Sequence, residues 1–382
     1  MKATEYILSD ISEILSGFAW PSNKFNFQNN GIPIIRIQNI DSINSDFAYF
    51  DDEYNDKFLI KEGDILLSLS GSFKLAIWSG PKALLNQRIV KITPQKEVDE
   101  KYFFYALQSK LSQIANLGRH ALVSNVAVSD LRNIKIFLPN VQEQRRIAAI
   151  LDKAEALRAK RREAIAELDQ LLQSVFLEMF GGKDFPEMTV EELALARKGS
   201  IRTGPFGSQL LHSEFTDHGI KVLGIDNAVK NTFPQGEGRY ISLEKYESLK
   251  RYTVYPGDVI ITIMGTCGRC AVVPENIEKS INTKHLCCIT LDNKKCKSEY
   301  LHSYFLMHPS ARKYLQDRSK GAIMDGLNMG IIKEMPISCP PIDLQEKYCS
   351  FKSKIQKQRE KLISFEIELE NLNKSLQQQY FQ

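Results

Sequence analysis

The chain has no cysteine before Cys267, no long apolar run and no strong excess of one charge. All seven cysteines lie between Cys267 and Cys349, so disulfides cannot belong to an architecture shared by the whole chain. The longest apolar runs, such as Val259 to Met264, are far below the ~20 residues that a membrane helix needs. Residues 1–10 lack the apolar core of a signal peptide. We therefore expect a cytoplasmic protein without membrane contact.

The charge balance is weakly basic. A net charge of +4 and a pI near 8.5 permit nucleic-acid binding but fall short of the strongly basic balance of a stand-alone binder. If the ligand is DNA, a partner subunit should supply part of the phosphate neutralisation. With 382 residues, 43% hydrophobic and 25% charged, the chain has the composition of an ordinary globular protein with two cores.

Signatures of an enzyme are missing from the sequence. The six histidines are scattered without a His-Glu-x-x-His pattern, and Gly181-Gly182-Lys183-Asp184 lacks the spacing and hydroxyl of a phosphate-binding loop. The segment Cys339-Pro340-Pro341-Ile342 lacks the flanking residues of the Pro-Pro motif of amino-methyltransferases. Proline in the first turn of a helix is a structural preference. We therefore predict a protein without catalytic residues.

A series of motifs occurs twice in the same order. The run that begins at Gly31 (Gly-Ile-Pro-Ile-Ile-Arg) returns at Gly219 (Gly-Ile-Lys-Val-Leu-Gly), and both read as a buried strand. The Gly-Asp turn and β-branched strand of residues 63–71 return at residues 257–265, and residues 118–125 parallel residues 321–328. The chain therefore contains two strand-rich domains of about 140 to 150 residues, a usual size for one core.

Each copy closes with a heptad-patterned segment. One constant offset maps Pro139 to Pro340 and aligns two series whose steps alternate between three and four residues. This spacing predicts two long helices that bury a coiled-coil seam, each a rod of roughly 50 Å. The predicted seam positions are Ile147, Ile150, Ala154, Leu157, Arg161, Ala164, Leu168, Leu171 and Val175, and then Tyr348, Phe351, Ile355, Gln358, Leu362, Phe365, Leu369, Leu372 and Leu376.

The cysteines invite a zinc site, because Cys267 and Cys270 are followed by the adjacent pair at 287 and 288. The alignment of residues 63–71 with residues 257–265 places Phe73 and Ala76 of the first copy opposite Cys267 and Cys270. The same element is thus built there without thiols, and cysteine is a common small buried hydrophobe. We predict no metal.

Polar and basic residues in the loops that flank the repeated strands are the candidate DNA contacts. Arginine, lysine, asparagine and serine suit phosphate oxygens and base edges. In the first copy the candidates are Ser70, Ser72, Lys74, Arg119, His120, Ser124 and Asn125, and in the second they are Arg202, Thr203, Ser208, Thr266, Arg269, Lys320 and Asn328.

The ordered motifs resemble the specificity subunit of type I restriction-modification systems. The second half carries Gly204-Pro205-Phe206-Gly207-Ser208, Tyr255-Pro256-Gly257-Asp258 and Pro340 through Gln345. The first half keeps Gly63-Asp64 and Pro139 through Gln144, but has only Gly17-Phe18-Ala19-Trp20-Pro21 in place of the Gly-Pro-Phe-Gly-Ser motif.

The resemblance implies an α+β fold, with two target-recognition domains related by pseudo-two-fold symmetry and separated by two long antiparallel coiled-coil helices. The expected boundaries are residues 1–140 and 182–338 for the domains and 141–181 and 339–382 for the spacer helices. Because a DNA turn is about 34 to 36 Å long, the half-sites should lie on the order of one turn apart, and they should differ because the loops differ.

The resemblance also implies partners. The chain would bind double-stranded DNA, two modification (methyltransferase) subunits and, where present, two restriction (translocase and nuclease) subunits. It would use no cofactor itself, since S-adenosylmethionine, ATP and Mg²⁺ belong to those partners. Apolar residues outside the seam would dock the modification subunits or simply widen the helix contact: Leu151, Ile165, Leu172, Phe176 and Met179.

Two other functions are compatible with the sequence. The chain could be a protein-binding scaffold or inhibitory orphan subunit that has lost DNA reading, or a small-molecule enzyme with two sites. Salt-dependent DNA binding by the assembled complex distinguishes the first from a DNA reader. Activity of the isolated chain that one loop substitution abolishes would indicate the second.

Overall fold

The computed structural model describes residues 3–40, 46–71, 73–118, 126–319 and 326–381. The chain forms two compact units, one of Met1–Arg162 with Ile363–Gln382 and one of Glu163–Leu362. Within the described part of the chain, no helix combines the length and apolar content needed to cross a membrane.

The described residues of the first unit form three sheets. β1 and β11 form a pair, β2-β10-β7-β8 form an antiparallel sheet, and β3-β5-β4-β9-β6 form a mixed sheet in which only β4 and β9 run parallel. Their bounds are β1 (Thr4–Ile7), β2 (Ser12–Ser16), β3 (Phe25–Asn26), β4 (Ile32–Ile35), β5 (Ala48–Phe50), β6 (Leu59–Ile60), β7 (Ile65–Ser68), β8 (Leu75–Ile77), β9 (Ala83–Leu85), β10 (Ile89–Pro94) and β11 (Lys135–Leu138). The helices are α1 (Leu8–Ile11), α2 (Glu100–Ser109), α3 (Leu111–Gly118), α4 (Val128–Arg132) and the first part of α5 (Val141–Phe180).

The second unit repeats this topology strand for strand, because each strand of the first unit has its counterpart eleven strands later in every sheet. The strands are β12 (Glu187–Thr189), β13 (Ile201–Thr203), β14 (Phe215–Thr216), β15 (Ile220–Leu223), β16 (Arg239–Ile241), β17 (Thr253–Val254), β18 (Val259–Thr262), β19 (Cys270–Val272), β20 (Ser280–Asn282), β21 (Leu286–Ile289) and β22 (Pro336–Ser338). The helices are the last part of α5, α6 (Val190–Leu193), α7 (Ile225–Lys230), α8 (Leu243–Leu249), α9 (Ser298–Met307), α10 (Pro309–Ser319), α11 (Met329–Lys333) and the first part of α12 (Ile342–Phe381), whose last part belongs to the first unit. The predicted α+β class with a duplicated domain is confirmed.

The central strand explains the unbroken apolar runs. Successive side chains of a strand point to opposite faces of the sheet. On β7, Ile65 and Leu67 enter one core and Leu66 enters another. On β18, Ile261 and Ile260 divide between two cores in the same way. Since both faces are covered, both positions of the alternation must be apolar.

Two pairs of glycines are required by close backbone contacts. A Cβ on Gly31 would lie 2.1 Å from the Phe50 carbonyl oxygen, and one on Gly219 would lie 2.3 Å from that of Ile241. A Cβ on Gly17 would lie 2.1 Å from the Asn86 carbonyl oxygen, just after the parallel strand β9, and one on Gly204 would lie 2.1 Å from that of Asn282, the last residue of the parallel strand β20. Gly17 therefore stands where Gly204 stands, although the rest of the Gly-Pro-Phe-Gly-Ser motif is missing from the first unit.

A buried glutamine attaches the start of each long helix to its unit. The Gln144 side chain accepts from the Asp99 backbone N–H (2.9 Å) and donates to the Pro139 carbonyl (2.8 Å). Gln345 accepts from the Lys297 N–H and donates to the Pro340 carbonyl, both at 2.9 Å. These bonds explain why both copies carry Pro-x-x-x-x-Gln at this point.

The long helices do not bury the predicted seam evenly. Ile147 and Ala154 are buried, but Leu157 is 48% exposed, and Leu171, Phe365 and Leu372 are exposed as well. An α-helix has 3.6 residues per turn and drifts from a 3.5-residue repeat, so a strict heptad misassigns part of a long segment. The first turns also pack into the core of their unit together with the end of the other long helix, as Ile147 and Phe381 do in the first unit. Much of the contact between helix segments is polar, including Arg162 to Glu366 at 2.7 Å.

Candidate nucleic-acid interface

The repeated Gly-Asp turn carries an ion pair whose cation differs between the units, and the pair is partly exposed in the first unit and buried in the second. In the first, Lys91 of β10 lies 3.0 Å from the Asp64 carboxylate. In the second, Arg202 of β13 donates to Asp258 at 2.5 Å, and Asp258 also accepts from Thr290 at 2.6 Å. The strand registers place Arg202 where the first unit has a leucine, and place Cys288 where it has Lys91.

Arg202 is therefore not a DNA contact, which corrects the sequence prediction. Its side chain is only 7% exposed and also donates to the Thr253 carbonyl at 2.6 and 3.0 Å. The predicted contact at Thr203 lies next to it on β13 and is half-buried. Sequence spacing shows that an arginine is near a motif, but it does not show which way the side chain points.

A buried hydroxyl organises the loop after the central strand of each unit. The Ser68 hydroxyl accepts from the Lys74 N–H at 2.8 Å, and the Thr262 hydroxyl accepts from the Arg269 N–H at 2.9 Å. Backbone bonds link the same residues, from the Ser68 N–H to the Lys74 carbonyl (2.9 Å) and from the Thr262 N–H to the Arg269 carbonyl (2.8 Å). Lys74 and Arg269, both predicted DNA contacts, thus occupy equivalent positions.

The sequence alignment of the cysteines was wrong by one position. The registers place Cys270 opposite Ile261 of β18, where the first unit pairs Leu67 with Leu75. Its equivalent is therefore Leu75 rather than Ala76. Burial raises the pKa of the Cys270 thiol, and it raises that of Cys287 to about 12. Both thiols remain protonated at neutral pH and pack as apolar groups in the core.

The candidate loops meet at one end of the antiparallel sheet. In the first unit, the Leu69 N–H donates to the Arg88 carbonyl at 2.9 Å, and the Val126 N–H donates to the Leu69 carbonyl at 2.9 Å. In the second, Ile263 makes the same bond to His285 (2.9 Å) and accepts from Leu327 (2.8 Å). Three segments distant in sequence thereby form one surface in each unit, which we call the loop end.

The remaining predicted contacts vary in exposure. Ser70 is 5% exposed, and its hydroxyl has no hydrogen-bond partner among the described residues. Lys74 is half-buried, whereas Ser208, Thr266, Arg269 and Asn328 are exposed. The Asn328 side-chain oxygen accepts from the Ile331 N–H at 3.0 Å and caps α11, which fixes the side chain and leaves its amide nitrogen to donate to a ligand. Six predicted contacts lie outside the described residues: Ser72, Arg119, His120, Ser124, Asn125 and Lys320.

The second loop end borders an open cleft of about 430 Å³. Thr266 and Arg269 lie on one side, Arg312 of α10 also lines it, and the buried Phe305 and Leu327 contribute apolar surface. Guanidinium groups beside apolar surface can bind phosphate oxygens or stack on bases.

Several basic residues of the loop ends were missed by the sequence prediction. Gln87 and Arg88 are exposed between β9 and β10, and Lys284 and His285 occupy the same turn between β20 and β21. The signal was present, because a polar and basic turn follows the parallel strand in both copies. It was overlooked because the motifs around it are apolar.

Three of the residues proposed to dock a partner are core residues, which corrects that prediction. Leu151 and Phe176 are 0% exposed and Leu172 is 8% exposed. Leu151 packs into the core of the first unit, while Leu172 and Phe176 pack into that of the second, where Met179 adds a half-buried contact. Ile165 is half-buried. Four of the large apolar side chains left exposed on the long helices had been assigned to the seam by the heptad, namely Leu157, Leu171, Phe365 and Leu372, whereas the exposed Ile367 had not.

Comparison with known proteins identifies the family. The sequence profile of the type I restriction modification DNA specificity domain matches residues 2–168 and 213–370. The specificity subunit of the type I restriction enzyme EcoBI from Escherichia coli is 26% identical over 365 residues, covering 89% of this chain and 76% of that protein. The specificity subunit of MjaVIII from Methanocaldococcus jannaschii is 24% identical over 309 residues, covering 76% and 72%.

Solved structures show the same fold. A crystal structure of the S subunit of a type I restriction-modification system from M. genitalium superposes with a TM-score of 0.60 at 15% identity, covering 100% of this chain and 96% of that one. A chain from a study of complex assembly and conformational transition in the type I system gives 0.57 at 16% identity, covering 99% and 97%. This protein therefore belongs to the type I restriction-modification DNA specificity family, and its role is DNA sequence specificity.

Proposed function

We propose that the protein reads one bipartite, asymmetric DNA site without catalysing a reaction, each unit contacting one half-site through its loop end. The observation that supports this proposal is that the same fold is built twice, with different side chains at equivalent positions. Lys74 in the first unit corresponds to Arg269 in the second, and Arg88 corresponds to His285. Equivalent frames with unlike side chains are suited to two different half-sites.

The protein would direct other subunits to this site. S-adenosylmethionine-dependent modification subunits, and restriction subunits that use ATP and Mg²⁺, would supply the chemistry and hold those cofactors. The relatives in Escherichia coli and Methanocaldococcus jannaschii are specificity subunits of type I restriction enzymes, which supports this assignment.

The docking surface for modification subunits would be the apolar side chains that the long helices leave exposed. On the first unit these are Leu157 at 48%, Phe365 at 46% and Leu372 at 51% exposure, and on the second the corresponding residue is Leu171 at 44%. Arg161 lies over the Phe365 ring at 5.0 Å, which orients a cation beside this apolar surface. Large apolar side chains in contact with water lose that exposure when a partner covers them.

Substitution in one loop end tests the division between the two readers. Arg269→Ala is expected to weaken recognition of one half-site by about 1–3 kcal/mol, and Lys74→Ala should act on the other. Methylated bases are mapped on a randomised DNA library after incubation with the modification subunits and S-adenosylmethionine. Arg197→Ala is the control, because Arg197 lies over the Tyr255 ring at 5.4 Å, away from the loop end. Altered preference in both half-sites from one substitution, or methylation that does not need this chain, would contradict the proposal.

A charge in the exposed helix surface tests docking. Leu372→Glu should abolish co-purification of the modification subunit while leaving the melting temperature within about 2 °C, since an exposed position costs little stability. Leu243→Glu is the matched control, because Leu243 is 62% exposed on α8, outside the long helices. Equal co-purification by both variants would exclude this surface.

A further inference from the structure

The turn after the parallel strand is held rigidly at each loop end. In the first unit, the Gln87 N–H donates to the Phe18 carbonyl at 3.0 Å and the Ile89 N–H donates to the Asn86 carbonyl at 2.9 Å. In the second, the Thr283 N–H donates to the Leu223 carbonyl at 3.0 Å and the Leu286 N–H donates to the Thr283 carbonyl at 3.1 Å. These bonds hold the backbone of each turn, and the Asn86 side chain also accepts from the Gln87 N–H at 2.7 Å. The side chains left to serve a ligand are those of Gln87 and Arg88 in the first unit and those of Lys284 and His285 in the second.

The cations of these turns lack carboxylate partners. Among the described residues, the exposed side chain of Arg88 has no ion pair or hydrogen bond, and neither has the half-buried side chain of Lys284. Arg239 of β16 is exposed and lies 5.7 Å over the Phe215 ring, again without a carboxylate. Elsewhere cations are commonly paired, as Lys245 is with Glu214 at 2.6 Å. Unneutralised cations close together repel each other, and a bound anion relieves that repulsion.

His285 lies inside this cationic group. Partial burial lowers its pKa from the ordinary value, and Lys284 in the same turn and Arg239 on β16 lower it further. These two are the charged groups that act on the imidazole among the described residues, and both are cations. The ring is therefore neutral at pH 7 unless a negative charge approaches.

We propose that the turns Asn86-Gln87-Arg88 and Thr283-Lys284-His285 bind DNA backbone phosphates, and that His285 makes the contact of the second unit stronger in mild acid. This inference rests on the proposed DNA-reading function and names residues and a regulation within it. A backbone phosphate is anionic in mild acid as well as at neutral pH. Its approach therefore favours the protonated imidazole and couples DNA binding to the uptake of one proton. At the equivalent position of the first unit, Arg88 keeps its charge at any of these pH values.

The test uses the complete complex with modification subunits and a duplex that carries the methylated motif. Binding is measured by fluorescence anisotropy from pH 8.0 to 6.0 at constant ionic strength. The wild-type affinity should rise as the pH falls, by at most about tenfold per pH unit for one coupled proton. His285→Arg should bind tightly without that component, and its salt slope at pH 8.0 should be steeper by about 1. Arg88→His should add a second proton-linked component.

Two variants control the experiment. His218→Arg adds the same charge at an exposed residue just before β15. Because β15 runs parallel to β20, this residue lies at the opposite end of the sheet from the turn that follows β20, so the variant should change neither the pH nor the salt dependence of binding. His285→Gln removes the titrating group without adding charge, so it keeps the test valid if the arginine variant misfolds. If wild type, His285→Arg and His285→Gln all bind DNA specifically with the same pH and salt dependence, this inference is wrong but the proposed function is not affected. A complex that binds no DNA overturns the proposed function instead.

Discussion

The two units pair the aspartate of the Gly-Asp turn with different cations. Their equivalence can be tested by building the ion pair of the first unit into the second. Arg202→Leu leaves Asp258, 1% exposed, without its cation. Removing one partner of a buried pair costs about 3–5 kcal/mol because the remaining charge stays desolvated. For a unit of this size that corresponds to a fall of roughly 6–20 °C in melting temperature.

The second substitution supplies the missing cation from the neighbouring strand. Arg202→Leu with Cys288→Lys reproduces the arrangement of the first unit, where a leucine faces Lys91 and Lys91 pairs with Asp64 at 3.0 Å. The double variant should recover at least half of the lost free energy of unfolding. Cys288→Lys alone should be destabilised, because it places a second cation against Arg202 in the core.

Urea unfolding followed by circular dichroism measures all four proteins, and the double-mutant cycle isolates the coupling between the two positions. Arg239→Leu serves as control, since this exposed arginine should change stability by less than about 0.5 kcal/mol. A cost below about 1 kcal/mol for Arg202→Leu, or strictly additive effects of the two substitutions, would refute the equivalence of the two ion pairs.

Three further outcomes follow from the structure. Gly17→Ala and Gly204→Ala should each cost about 1–3 kcal/mol, as calorimetry would show, because the new Cβ would meet a carbonyl oxygen at 2.1 Å; a neutral result would mean that the turn yields freely. Leu151→Ala should cost about 2–5 kcal/mol in unfolding experiments, as for a core residue, whereas loss of partner binding at unchanged stability would restore it to the docking surface. Burial and Lys352 lower the pKa of His302 well below its ordinary value. The contribution of this residue to stability should therefore be full above about pH 6.5 and be lost as the pH falls. His302→Gln should make the free energy of unfolding less dependent on pH in this range, and an unchanged dependence would exclude His302 as its source.

Features of the fold that depend on residues close together in the sequence could be predicted, and features that depend on contacts between distant segments could not. The Gly-Asp turns and the strands after them were recognisable because a strand covered on both faces needs an unbroken apolar run, as residues 65–67 show. The positions of the long helices were readable from their heptad spacing and from the Pro-x-x-x-x-Gln motifs at which they begin. Gly17, in contrast, could not be matched with certainty, because the close contact that requires a glycine involves a turn distant in sequence.

The sequence alone determined that one framework is used twice, in what order its elements run, and that the loops of the copies differ. Only the tertiary structure decided which side chains are buried in the frame and which are exposed. Arg202 lies in a buried ion pair, Leu151 and Phe176 are core residues whereas leucines predicted for the helix seam are exposed, and the turn containing His285 lies at the loop end. The physical reason is that local patterns record which residues can be buried, whereas the partner that buries them is set by strand register and packing between distant segments.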